Sequence, residues 1–266
     1  MSGIRTDLTG QVAIITGSTS GIGAAMAEAL AENGAHVVLN GLGDAAEIEA
    51  LRASIADKHG VEVRYHGANM LKPAEIADMV NSTVAEFGRL DILMNNAGIQ
   101  TVAPVEEFPE DRWDAIIGIN LSSVFHAAKA ALPHMKAAGR GRIVNLASAH
   151  GLVASPFKSA YVAAKHGVMG FTKTLALEVA EQGITCNAIC PGYVKTPLVE
   201  NQIADTARAR GISEEEVVRD VMLAAQPTKK FVTYEELAGA LLYIVSDAGA
   251  NMNGSWISVD GGWTAK

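Results

Sequence analysis

Seven short apolar runs, rich in β-branched residues, recur along the 266-residue chain. They are QVAIIT (11–16), AHVVLN (35–40), VEVRYH (61–66), LDILMN (90–95), GRIVNLAS (141–148), ITCNAIC (184–190) and SWISVD (255–260). Between them lie longer Ala-, Leu- and Glu-rich stretches of helical period, such as 21–34 and 73–88. Alternating β and α elements predict parallel strands joined by right-handed crossovers, with helices on both faces. Near-continuous apolar strands such as VAII and DILM suit a sheet buried on both sides. Gly34, Gly60, Gly88, Gly139 and Gly183 are expected just past helix ends, where a left-handed residue closes the last turn. The pattern predicts one α/β domain over 1–266, a doubly wound sheet of seven parallel strands. One segment breaks the rhythm: residues 191–232 separate two strand-like runs with charged helical sequence. Ligands of open α/β sheets bind at the carboxyl ends of the strands, so this insertion predicts a small helical substrate lid over about 191–225.

Composition narrows the function classes. Apolar residues make up 49% of the chain, enough for a large core. Twenty-one Lys and Arg against 29 Asp and Glu give a formal charge of −8, a poor footprint for nucleic acid. The two cysteines, Cys186 and Cys190, lie four apart in a strand-like run, a span of roughly 13 Å that no disulfide bridges. With no His pair beside them they make no zinc site either, so no metal is expected. The start, MSGIRTDLTG, has no apolar leader core, and no uninterrupted run reaches ~18 apolar residues. A cytoplasmic protein without a membrane partner is the expectation.

Immediately after the first strand, Thr16-Gly17-Ser18-Thr19-Ser20-Gly21-Ile22-Gly23 opens a helix. Glycines let the backbone turn sharply and approach a pyrophosphate, which the free N–H groups and positive end of the helix then hold. The spacing is G-x-x-x-G-x-G, and no Lys-Ser/Thr pair makes it a nucleotide-triphosphate loop. The second strand ends in Asn40-Gly41-Leu42-Gly43-Asp44, with neither the acid often found near a ribose nor an Arg for a 2′-phosphate. Asp44 reads as the N-cap of the next helix. The absence of Lys or Arg at 18–20 and 40–43 favours NAD over NADP.

Tyr161 and Lys165, four apart at helical spacing, share a face. Ser148 lies 13 residues upstream of Tyr161, at a strand end. A cation beside a tyrosine eases loss of its proton, and a serine hydroxyl orients a substrate oxygen. The set suits reversible proton transfer at an alcohol or carbonyl oxygen. Each signal alone has an ordinary structural reading, a glycine turn or a surface Tyr–Lys pair; the combination carries the argument.

These motifs, with NNAG (95–98), Asn120, PG (191–192) and VDGG (259–262), run the length of the chain, which resembles a short-chain dehydrogenase/reductase. The resemblance implies a Rossmann sheet, a nicotinamide dinucleotide and a homotetramer. It makes Tyr161 the general acid/base, with Lys165 on the nicotinamide ribose, Ser148 on the substrate oxygen and Asn120 anchoring a relay water. Gly17, Thr19, Ser20, Gly21, Ile22 and Gly23 would take the pyrophosphate. Leu42, Asn69 and Met70 would take the adenosine end, and Asn96, Gly98, Pro191 and Val194, with Tyr161 and Lys165, the rest of the cofactor cleft.

Within that family the sequence is similar to members that oxidise (R)-3-hydroxybutyrate to acetoacetate, which hold a small carboxylate with a Gln, a His, a Lys and a second Gln. Gln100, His150, Lys158 and Gln202 stand at the matching places. His150 is two residues after Ser148 and Lys158 three before Tyr161, so donors and a cation can meet a carboxylate about two carbons from the reacting oxygen. Tyr193 stands where those members typically carry Trp, Asn69 where an acid is common, and Pro156-Phe157 also departs from their pattern. Two other readings compete: a 3-oxoacyl-thioester reductase, expected to favour NADPH and to expose a basic patch, and a non-catalytic binding protein on the same scaffold, expected to lack an intact Ser–Tyr–Lys group.

Overall fold

The structure is a computed structural model that describes residues 4–196, 199, 203, 207, 208 and 211–265. Seven strands form one parallel sheet: β1 (Val12–Ile15), β2 (His36–Asn40), β3 (Val63–His66), β4 (Ile92–Asn95), β5 (Gly141–Leu146), β6 (Ile184–Pro191) and β7 (Trp256–Val259). Their order is β3-β2-β1-β4-β5-β6-β7. Every pairing is parallel. The chain runs outward from β1 in both directions, and the crevice where it reverses opens between β1 and β4. Strands β1, β4, β5 and β6 are buried at every position, including the polar Asn95, Arg142, Asn145, Thr185 and Asn187 among their apolar residues.

Helices α1 (Gly21–Glu32), α2 (Ala45–His59), α3 (Pro73–Phe87), α4 (Glu110–Ile117), α5 (Ser123–Ala138), α6 (Ser159–Glu178) and α7 (Tyr234–Val245) cover the two faces. One face packs Met26 and Leu30 of α1 with Leu237 and Leu241 of α7. The other packs Met79 and Val80 of α3 with Ala127, Ala131 and Met135 of α5. Asp44 caps α2, accepting from the N–H groups of Ala46 and Glu47. Gly60, Gly88 and Gly139 close α2, α3 and α5 in the left-handed conformation. Gly34, φ +94, follows the cap residue Asn33 and closes α1 as expected, its N–H donating to the Ala31 carbonyl. One of the expected helix-closing glycines serves otherwise. Gly183 lies beyond the end of α6 at Val179 and turns the chain into β6, pressed on Gly139 so closely that a side chain there would strike its carbonyl.

Helices α4 and α5 join through a π-turn at Gly118–Ser122 into a continuous helix, Glu110–Ala138. Its most apolar 18-residue window has a mean hydropathy of 1.4, long and apolar enough to cross a membrane by composition. That composition has a local cause: the alanines at 127, 128 and 131 are what allow α5 to sit tightly in the core. Cys186 and Cys190 are free, buried thiols. Burial pushes both up to about 12, so neither is a nucleophile.

Candidate active site

The loop after β1 is built to hold an anion. Gly17 has φ +63, and a Cβ there would stand 2.8 Å from Ala97 Cα, so only glycine lets this loop lie against the NNAG turn. Gly21, φ +56, faces open space. Ser20 is the N-cap of α1 but makes no side-chain cap, and the first turn carries no acid. The positive end of the helix is therefore uncompensated, beside glycines that leave room for a pyrophosphate. These residues fit a dinucleotide.

The loop is stitched in place by Asn96, expected to touch the cofactor directly, together with Thr16 and Asn40. Asn96 donates through Nδ2 to the carbonyls of Thr16 and Gly17, both at 2.8 Å. Thr16 Oγ1 accepts from the N–H groups of Asn96 and Ala97. Asn40, fully buried at the end of β2, accepts from Gly17 N–H and donates to the carbonyls of His66 and Ala68. Leu42 follows, 70% exposed, with Thr19 Oγ1 donating to its carbonyl. Asn69 Oδ1 accepts from Leu71 N–H, leaving its amide nitrogen for a ligand, and Met70 is buried behind it.

The structure brings Ser148, Tyr161 and Lys165 together. The turn after β5 packs directly on α6: a Cβ at Gly151 would stand 3.0 Å from the Lys165 carbonyl. Ser148 Oγ accepts from His150 N–H at 3.1 Å. Lys165 is buried, its Nζ 2.6 Å from the Leu146 carbonyl and 5.6 Å from the centre of the Tyr161 ring. Burial lowers its ammonium to about 8. Burial also raises the Tyr161 phenol above its usual 10.0, and the Ser148 hydroxyl pulls the other way. The expectation of an easily ionised phenol is thus corrected: desolvation of the phenolate outweighs its neighbours here.

Asn120 sits inside the π-turn, and both ends of its amide bind the backbone of Ile99, at 2.9 Å each. A Cβ on Gly167 of α6 would stand 2.8 Å from Leu121, so the π-turn rests on the helix that carries Tyr161. The side chain of Asn120 is therefore a clamp on the loop leading to Gln100, and a relay water would have to use its backbone. Gln100 itself is exposed. Gly98 lies close by, where a Cβ would stand 3.5 Å from Asn120 Oδ1.

Beside the catalytic group stands an aromatic cluster. The His150 ring lies edge-on to Tyr161 (5.9 Å) and to Trp263 (4.9 Å). Its Nε2 is 2.9 Å from Ser155 Oγ. Burial, with Lys158 and His166 nearby, lowers His150 to about 4. His150 is therefore a neutral hydrogen-bonding group at neutral pH, and Lys158 is the cation. Lys158 Nζ donates to the Tyr193 hydroxyl at 3.2 Å. Tyr193 stacks on Trp263, with centroids 5.4 Å apart and planes at 10°. Gln202 lies outside the described residues.

At the base of the predicted lid, Pro191 ends β6 and Val194 bridges to Val232. Gln226, fully buried, accepts from Tyr193 N–H and donates to the Lys230 carbonyl. Ser213 and Glu216 form a capping box that starts a short helical turn at Glu214–Glu216, and Val217 and Leu223 anchor its continuation in the core. Trp263, Gln226 and Ser155 were missed in the sequence. A tryptophan directly after the VDGG turn, in a chain with only 14 aromatics, was the one available signal.

Other features are structural. A cleft of about 430 Å³ at the amino end of the sheet is lined by Arg64, Glu62, Glu86 and Arg89, far along the strands from the site. Its Arg64 is ion-paired to both glutamates. Among the described residues no cluster of three or more His, Cys, Asp or Glu could hold a metal.

Comparison with known proteins agrees with this geometry. The family model for short chain dehydrogenases matches residues 11–207. A protein of Rhizobium meliloti named D-beta-hydroxybutyrate dehydrogenase is 58% identical over 96% of this chain and 99% of its own. One of the same name from Cupriavidus necator is 53% identical over 97% and 100%. The solved structure of L-sorbose reductase from Gluconobacter frateurii, complexed with NADPH and L-sorbose, superposes with a TM-score of 0.93 at 31% identity, covering 99% and 100% of the two chains. The chain belongs to the short-chain dehydrogenase family.

Proposed function

We propose that this protein catalyses the reversible, NAD-dependent oxidation of (R)-3-hydroxybutyrate to acetoacetate, the interconversion of two ketone bodies. The observation that carries the reading is the position of neutral His150 and of Lys158 with Tyr193 beside the Ser148–Tyr161 pair, in a chain 58% identical to a relative named for this activity. A secondary alcohol fits between the hydroxyls of Ser148 and Tyr161. Its carboxylate then meets the Lys158 ammonium and hydrogen-bonding groups at His150, Gln100 and Gln202. A nicotinamide dinucleotide, when bound, supplies the hydride acceptor.

In oxidation Tyr161 takes the hydroxyl proton while Ser148 holds the oxygen as it becomes a carbonyl. Lys165, brought beside Tyr161 by α6, favours the phenolate. Asn120 keeps the Ile99–Gln100 backbone in place and lends its main chain to a relay water. In the cofactor cleft Gly17, Thr19, Ser20, Gly21, Ile22 and Gly23 would hold the pyrophosphate at the uncapped end of α1. Leu42, Asn69 and Met70 would meet the adenosine, and Gly98, Pro191 and Val194 the nicotinamide half. NAD is favoured because residues 40–44 carry no cation for a 2′-phosphate. The segment 191–225 would close over the acid and exclude water. A cytoplasmic homotetramer, free of nucleic acid and membrane, completes the reading on family grounds.

Initial rates with 3-hydroxybutyrate and with 3-hydroxybutyryl thioesters, each with NAD and NADP, test the assignment. The free acid with NAD should be preferred. Preference for a thioester with NADP would favour the acyl-thioester reductase instead.

A further inference from the structure

We infer that Tyr193 is a specificity-determining residue that makes the site measure the spacing between the reacting oxygen and the carboxylate. The inference rests on the reading that Lys158 meets the carboxylate. A lysine alone is a poor gauge, because its four-carbon stem lets the ammonium follow a ligand. Here the ammonium is tied: it donates to the Tyr193 hydroxyl at 3.2 Å and stands 5.3 Å from the centre of the Tyr193 ring.

The tyrosine in turn is fixed from three sides. Its N–H donates to the side chain of fully buried Gln226. Its carbonyl accepts from Val232 N–H at 2.8 Å. Its ring lies flat on Trp263. Trp263 is 8% exposed and sits on a turn capped by Asp260, whose carboxylate accepts from the N–H groups of Gly262 and Thr264 and the Thr264 hydroxyl.

The same indole meets the other end of the site. Its ring is edge-on to His150, which is edge-on to Tyr161. One rigid aromatic stack therefore references both the proton-transferring phenol and the carboxylate-binding ammonium. The distance between them is set by packed rings rather than by a flexible stem. The Tyr193 hydroxyl uses its oxygen to accept from Lys158, which leaves its O–H free to donate to the carboxylate. A tryptophan at this place could stack but has no oxygen to receive the lysine.

The test uses three acids that differ only in the number of carbons between the carbinol and the carboxylate: (R)-lactate, (R)-3-hydroxybutyrate and (R)-4-hydroxypentanoate. Wild type, Tyr193→Phe, Lys158→Met and the double variant Tyr193→Phe/Lys158→Met are compared. Loss of a hydrogen bond to a charged group predicts that Tyr193→Phe raises the KM for 3-hydroxybutyrate about ten-fold. Preference over the shorter and longer acids should fall by a similar factor. With Lys158 already replaced, the Phe substitution should change KM less than about two-fold, because coupled residues are not additive. An unchanged preference in Tyr193→Phe, or an equal KM rise with and without Lys158, overturns the inference. A wild-type enzyme that does not oxidise 3-hydroxybutyrate overturns the proposed function, a different result from wild-type turnover with indifferent variants.

Discussion

Lys165 donates to the carbonyl of Leu146 at 2.6 Å and holds its ammonium 5.6 Å from the centre of the Tyr161 ring. It is buried, and burial lowers it from 10.5 to about 8. The native state therefore carries a desolvated charge at neutral pH that the unfolded chain does not, a cost of about 3 kcal/mol from the size of that shift. Because the folded value is the lower one, stability rises as pH goes from 8 towards 10.5. Lys165→Met should be more stable than wild type at pH 7 by about 1–3 kcal/mol in urea unfolding, while losing turnover. A variant less stable than wild type would contradict this account of the buried ammonium.

Tyr161→Phe removes the proton acceptor but keeps the ring that packs on His150. Turnover should fall by at least about 100-fold, the usual contribution of a positioned acid/base, with fluorescence titration still reporting NADH binding. Because the phenol is raised rather than lowered, oxidation by the wild type should keep increasing towards alkaline pH, while acetoacetate reduction holds at neutral pH. A kcat/KM profile for oxidation that is flat from neutral to alkaline pH would argue against Tyr161 as the base.

His150 is lowered to about 4 from 6.5, and its first cause is burial. Between those values the unfolded chain binds a proton that the native state refuses, so stability falls as pH drops from 6.5 to about 4. The loss attributable to this group is about 3 kcal/mol. His150→Asn should remove that part of the acid dependence: the stability difference between wild type and variant, measured by urea melts, should shift in the variant's favour as pH falls. An invariant difference across this range would mean that His150 is not buried as a neutral ring.

Leu42 is 70% exposed next to Gly41 and carries no charge. Leu42→Arg supplies the guanidinium that a 2′-phosphate needs without disturbing the core. NADP turnover should rise by about ten-fold or more relative to NAD, as one charge-assisted contact allows, with an unchanged melting temperature. Unaltered cofactor preference would place the ribose elsewhere.

The architecture was legible because most strands are predominantly apolar, β3 being the exception, and the runs alternate with helical stretches. All seven strands fall inside their predicted runs with at most two residues trimmed at either end, apart from β6, which extends one further to Pro191. Gly183 was misread because a glycine before a strand and one after a helix look alike locally; only its contact with Gly139 decides. Tyr161, Lys165 and Ser148 were legible from spacing. Their ionisation was not, because burial is a property of the packed molecule: sequence shows a cation near a phenol, and desolvation reverses the expected direction. Asn96 and Asn120 were expected to serve cofactor and relay water, but their amides hold backbone. Trp263 and Gln226 were missed for a topological reason. They meet Tyr193 only because the β7 end and the insertion after β6 converge.

The central claim is that Ser148, Tyr161, His150 and Lys158 form one site for a short 3-hydroxy acid. It is tested most directly by the initial rate of NADH formation with the separate enantiomers of 3-hydroxybutyrate. The account predicts NAD-dependent turnover of the (R)-acid, slower by at least about 100-fold for the (S)-acid if misorientation removes the proton transfer. Equal rates with both enantiomers, or no turnover of either, would contradict it.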